Sequence, residues 1–273
     1  MLGLIQGFCE GACDNSMCPS GFFCDITTNI CCNASVTIAP GVYCEGACTN
    51  YECPSQGFIC EPKTLTCCNG TGPTAAPCPA AGVQKIRSCF VDYLKNFNIT
   101  MANSAPTLGQ FVVYLNKFLD GGGVNAFKTF CGWSNTRNTC IGPLYNDDCA
   151  TTDMFAQALG LNTSEALKWL SAYGSDNWEC GPGFSDTSAN FYCLENVREN
   201  HSSERGACVQ QLVNSINQNG FSCYYYSQFV QCYSNVYKKY CGAVGGYVGC
   251  NLARSSTIKT EAFCEPYLPI CSK

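Results

Sequence analysis

Cysteine accounts for 26 of the 273 residues, about 9.5%, a density typical of disulfide-built proteins and one that excludes a reducing compartment. Only 13% of residues are charged and the formal net charge is −5, so nucleic acid and anionic membranes are poor partners, because both select a basic face. The 46% hydrophobic content allows a buried core, yet the longest apolar runs fall far short of the roughly eighteen residues that cross a bilayer, and no membrane span is predicted.

The chain opens with an apolar tail, residues 1–8, carrying Leu2, Leu4, Ile5 and Phe8. It is too short and uncharged for a signal peptide, so the sequence reads as a mature chain whose leader has been removed. The module that follows is too small to shelter the tail. A groove is needed, either on the chain's own helical domain or on a neighbouring copy, which makes these four side chains candidate assembly contacts.

Residues 9–32 and 44–68 share one cysteine rhythm. Module 1 places cysteines at Cys9, Cys13, Cys18, Cys24, Cys31 and Cys32; module 2 places them at Cys44, Cys48, Cys53, Cys60, Cys67 and Cys68. Both begin Cys-Glu-Gly-Ala-Cys, carry Cys-Pro-Ser in the middle and end in Cys-Cys. So short a segment cannot build a core, and disulfides are expected to restrict the unfolded chain instead, at about 2–4 kcal/mol each. Residues 33–43 and 69–77 read as linkers from their Gly, Pro and Thr content. Six acids and the single base Lys63 give residues 1–77 a net charge of −5, while the remainder, with 14 of each sign, is neutral.

Residues 78–273 are read as a mainly α-helical, disulfide-stapled domain. Leu108, Phe111, Val112, Leu115, Phe118 and Leu119 follow helical spacing from near Pro106 to a stop at Gly121-Gly122-Gly123. Asn162 with Glu165 predicts an N-cap and its reciprocal partner, opening a helix through Trp169. Val209, Leu212, Val213 and Ile216 predict a further amphipathic helix, ended by Asn219-Gly220. Its disulfide candidates are Cys78, Cys89, Cys131, Cys140, Cys149, Cys180, Cys193, Cys208, Cys223, Cys232, Cys241, Cys250, Cys264 and Cys271. The four from Cys223 to Cys250 recur every nine residues. On one helix that step is about 13.5 Å, with sulfurs on alternating faces, so neighbours in the series cannot pair. They should instead tie a central helix to elements on both sides, with a break after Cys241 near Gly242, Gly245 and Gly246.

Signals for catalysis are weak. His201 is the sole histidine and lies inside the sequon Asn200-His201-Ser202, which disfavours triad chemistry and most zinc sites. Ser256 and Lys259 match Ser-x-x-Lys, and Ser175-Asp176-Asn177 adds a second fragment of the penicillin-binding signature; composition alone yields about one such Ser-x-x-Lys match, and the order is reversed. The acids Asp147, Asp148, Asp176, Glu179, Glu195 and Glu199 contain no pair that stands out for glycoside hydrolysis. No catalytic residue, metal ligand or cofactor is assigned. Sequons at Asn33, Asn69, Asn98, Asn162 and Asn200 are candidate N-glycan sites, and therefore expected on the surface.

The module pattern of Cys-Pro-Ser, Gly-Phe, a lone Cys, a threonine-bearing spacer and Cys-Cys resembles the cysteine-rich repeats of nematode secreted proteins, the worm-specific and lustrin-type repeats. The resemblance covers about 50 residues and implies an extracellular setting, either matrix-associated or as a secreted effector. The expected function is a non-enzymatic secreted structural protein, a subunit of an extracellular matrix or filament, associating with itself or with other extracellular proteins. The alternative is a secreted binding protein, such as a protease inhibitor or host-directed effector.

Overall fold

The computed structural model describes residues 9–12, 23–25, 30–32, 44–47, 59–61, 66–68, 80–142 and 150–273. The chain divides into two compact units, Met1–Pro77 and Cys78–Lys273. In the first, β1 (Cys9–Ala12), β2 (Phe23–Asp25) and β3 (Ile30–Cys32) form an antiparallel sheet of order β1-β3-β2. The second repeat forms the same sheet from β4 (Cys44–Ala47), β5 (Ile59–Glu61) and β6 (Thr66–Cys68), in the order β4-β6-β5. Registers correspond as well: Cys9 faces Cys32 and Cys44 faces Cys68. The tail, both linkers, Cys78 and Cys149 lie outside the described residues.

The second unit is helical. Its elements are α1 (Ala80–Lys95), α2 (Leu108–Ile141), α3 (Thr152–Leu159), α4 (Thr163–Glu179), α5 (Phe184–Ala189), α6 (Phe191–Asn200), α7 (Ser202–Asn219), α8 (Cys223–Thr260) and a closing 3-10 turn, Ala262–Tyr267. No described helix is long and apolar enough to cross a membrane.

Helices α2 and α8 are each two limbs folded back at glycine. In α2 the reversal falls at Gly123, with φ 56° and ψ −139°, a region costly for any residue with a Cβ. The Phe118 and Trp133 rings then lie 4.9 Å apart, where a continuous helix would separate those residues by about 22 Å. In α8 the break comes at Cys241 and Gly242, the latter at φ 66°. Past it, Ser234 Oγ donates to the Gly246 carbonyl at 2.9 Å, so the limbs lie side by side. Gly249 is one point of close approach: a Cβ there would lie 2.7 Å from the buried Tyr237 ring. Gly249→Val is accordingly expected to cost about 1–3 kcal/mol in denaturant unfolding. Gly206→Ala, at an exposed helical position with open space around it, should be neutral or stabilising, and equal effects at the two sites would refute the close-approach argument.

The larger core cluster is aromatic and gathers α1 to α4. Phe90 meets Phe155 and Trp169 edge-on at 5.5 and 5.9 Å, and Phe97 meets Phe111 and Trp133 at 5.0 and 5.2 Å. A smaller cluster joins α6, α7 and both limbs of α8 through Leu194, Val197, Cys208, Tyr237, Val248 and Leu252. Helix α4 runs along the second limb of α8, where Ser171 Oγ lies 2.5 Å from Ser256 Oγ and Ser175 Oγ donates to the Leu252 carbonyl.

Among the described residues six disulfides fasten these helices: Cys89–Cys140, Cys131–Cys180, Cys193–Cys241, Cys208–Cys232, Cys223–Cys264 and Cys250–Cys271, with Cα atoms 4.8–5.8 Å apart. The four evenly spaced cysteines of α8 all bond outward, to the 3-10 turn, α7, α6 and the C-terminal segment.

Two local expectations differ from the structure. Asn162 does cap α4, accepting from the Glu165 amide at 2.9 Å, but Glu165 does not reciprocate; its carboxylate takes the Leu108 amide at 3.2 Å and Lys168. The reciprocal capping box sits instead at Thr107 and Gln110, starting α2. The stripe on α7 is also less sheltered than its spacing implies: Val209 and Val213 are exposed, because α7 is held through Cys208 and polar contacts rather than through that stripe.

Candidate functional site

Among the described residues of the helical unit, charged groups gather at three places, and the two interior ones tie helices together. Arg137, 2% exposed on the second limb of α2, lies between the rings of Phe90, Tyr93 and Tyr173 at 5.2, 4.6 and 4.6 Å from their centroids. Its Nε donates to Asn138 Oδ1 at 3.2 Å, and Nη1 stands 3.6 Å from Asp176 Oδ2 on α4. Burial pushes the Asp176 carboxyl up to about 6, against the pull of Arg137, and the same loss of solvent raises the Tyr93 hydroxyl.

Between about pH 4 and pH 6 the folded chain keeps a proton on Asp176 that the unfolded chain, with its ordinary carboxyl, has released. Stability from this group is therefore present at low pH and lost as pH rises through 6, by on the order of 2 kcal/mol. Urea unfolding from pH 4 to pH 7 should show this decline in the wild type and a flatter profile in Asp176→Asn; identical profiles would contradict it.

The second place joins α4, α6, α7 and α8. Arg198 donates to Glu179 through Nη2 and to Glu195 Oε1 through Nη1 at 2.6 Å. Arg205 donates to the Arg198 carbonyl at 2.6 Å and to the Tyr233 hydroxyl at 3.0 Å. Burial raises the Glu179 carboxyl, with Arg198 opposing, and raises the Tyr237 hydroxyl to about 12.

The third place is at the surface. His201, between α6 and α7, stacks on Tyr240 with ring centroids 3.5 Å apart, and its Nδ1 stands 3.4 Å from Glu204 Oε1. Glu204 also accepts from the Tyr240 hydroxyl and, at 2.9 Å, from Lys239, and these bonds hold its carboxyl below the usual range.

The residues singled out in the sequence are thus dispersed. Ser175, Asp176 and Asn177 serve helix contacts: Ser175 bonds Leu252, Asp176 pairs with Arg137, and Asn177 Oδ1 accepts from Asn138 at 2.7 Å. Ser256 bonds Ser171, and Lys259 lies over the Tyr173 ring at 5.7 Å. Glu179 and Glu195 converge on Arg198 rather than across an open cleft. Glu199 is bonded to Asp120, which raises its carboxyl. Among the described residues no group of three or more His, Cys, Asp or Glu could hold a metal ion. Asn98, Asn162 and Asn200 are all exposed, as glycan addition requires; Asn98 has φ 59° and Asn200 donates to Asn196 at 2.8 Å. Asn33, Asn69, Asp147, Asp148 and the tail residues Leu2, Leu4, Ile5 and Phe8 lie outside the described residues, as do the side chains of the module cysteines.

No known protein family, curated protein or solved structure matches the chain. Sequence reasoning missed the aromatic enclosure of Arg137. Its ring partners come from positions 90, 93 and 173, and nothing in their spacing links them to 137.

Proposed function

We propose that the chain is a secreted, non-enzymatic structural protein that assembles through subunit contacts in an extracellular matrix or filament. Residues 9–32 and 44–68 act in this reading as small disulfide-rich, acidic modules that precede the helical unit in sequence. The disulfide density suits an oxidising compartment and a molecule that must persist there.

The observation that carries the reading is an apolar surface on a covalently braced frame. On the first limb of α2, three consecutive residues, Val112, Val113 and Tyr114, are 39%, 68% and 49% exposed, although six disulfides hold the unit that bears them. Scattered apolar residues are ordinary on protein surfaces; in this reading Val113 and Tyr114, adjacent and the most exposed of the three, are the ones covered by a partner subunit. The apolar tail adds a second contact of the same chemistry.

Sedimentation velocity of the glycosylated protein over a range of concentrations tests this. Oligomers that shrink on Val113→Asp, and again on deletion of residues 1–8, are expected. A monomer at every concentration overturns the assembly reading; if that monomer inhibits a protease, the binding-protein alternative takes its place.

A further inference from the structure

Two adjoining depressions in the helical unit have no part in the assembly reading. One, about 430 Å³, lies between α7 and the first limb of α8, with Gln211, Gln228, Gln231 and Asn235 around a floor of Cys232 and Val236. The other, about 290 Å³, shares Gln231 and Asn235 and continues past Ser234 and Lys238 to Tyr247 and Ile270. The exposed Gln231–Asn235 pair on the first limb of α8 borders both, so the two depressions form one shallow trough with a side on each flank of that limb.

The hydrogen-bonding inventory of the trough is neutral and two-sided. Gln231 Nε2 donates to Asn235 Oδ1 at 3.1 Å, which leaves Gln231 Oε1 to accept and Asn235 Nδ2 to donate. Gln228 Nε2 donates to the Tyr224 hydroxyl at 2.9 Å, leaving its carbonyl oxygen, and Gln211 makes no side-chain hydrogen bond to a described residue. Charge is mostly cancelled: Lys239 pairs with Glu204 and Lys273 with Asp186, so Lys238 is the one lysine of the trough without an ion pair among the described residues.

Alternating amide donors and acceptors around an apolar floor match a ligand whose hydroxyls both give and take hydrogen bonds and whose ring faces present C–H groups. A charged peptide would find almost no net charge to meet, and an apolar one no deep pocket. We propose that this trough binds carbohydrate, in the form of an oligosaccharide of neutral pyranose units. Two sources share that chemistry. Asn200, exposed and within a sequon, lies four residues before Glu204 at one end of the trough, so the chain's own glycan is one source; a glycan from another molecule is the other.

Saturation-transfer NMR and calorimetry with triacetylchitotriose and mannotriose test the proposal on the full-length glycoprotein and on Asn200→Gln. If the ligand comes from outside, both proteins bind a trisaccharide. If the trough holds its own glycan, the wild type is silent, Asn200→Gln binds, and its amides over residues 228–239 exchange faster. In either case Gln211→Ala, at an exposed position, should leave the unfolding midpoint unchanged and weaken binding about three- to tenfold, and Asn235→Ala likewise. The proposal is overturned if neither protein binds either sugar and exchange is unchanged, if binding ignores both substitutions, or if a Ser- and Gln-rich octapeptide binds the trough where the sugars fail. Each outcome can be read whether or not the protein assembles.

Discussion

Arg137→Ala is expected to lower the free energy of unfolding by about 3–5 kcal/mol, the largest loss from a single substitution in the helical unit. Two effects combine. The guanidinium fills a slot between Phe90, Tyr93 and Tyr173, so its removal leaves a cavity among side chains that are already fully buried. It also leaves Asp176 without its cation, in a setting that already drives the carboxyl toward its neutral form. Arg137→Met, which keeps most of the volume, should cost less than alanine. Adding Asp176→Asn to Arg137→Met should recover part of the remainder, since no carboxyl is then stranded. Guanidinium unfolding of the four proteins measures this; an alanine variant within 1 kcal/mol of wild type would show that the enclosure contributes little.

Replacing Cys131 and Cys180 together by alanine should cost about 3–5 kcal/mol. The bond closes a loop of 49 residues and fastens the second limb of α2 to the C-terminal end of α4, with both cysteines buried against the aromatic core. Loss of the constraint on the unfolded chain accounts for most of the effect, and truncation of two buried side chains adds to it. Cys250 and Cys271 close a loop of only 21 residues beside the exposed C-terminal segment, so the same double substitution there should cost less. Thermal unfolding of the two variants side by side is the measurement. Equal or reversed effects would mean that local packing, rather than loop length and burial, sets the contribution of each bridge.

Much of the helical unit was legible because its signals are local. The glycine run at 121–123 ends an apolar period, and the chain reverses at Gly123. The nine-residue cadence of α8 forbids pairing within a helix, and the cysteines reach outward as that geometry demands, with the break at Cys241 and Gly242. Helix α1 could have been found the same way, since Ile86, Phe90 and Tyr93 recur at four- and three-residue steps. What sequence did not reveal depends on which surfaces meet. Val209 and Val213 carry the period of a buried stripe, yet α7 is held by a bridge at Cys208 and by Arg205 on Tyr233, which turns those valines outward. The trough is likewise made by α7, the two limbs of α8 and the C-terminal segment, whose relative placement no spacing encodes.

The order of the bridges has a further consequence. From Cys89 to Cys180, and again from Cys193 to Cys271, every peptide bond lies inside at least one disulfide-closed loop. No bridge spans the stretch from Gly181 to Tyr192, and the cysteines left over all precede Cys180. A protease that clips the helical unit almost anywhere else leaves one covalent object. A cut beside α5 parts it in two, so durability against digestion rests on twelve residues.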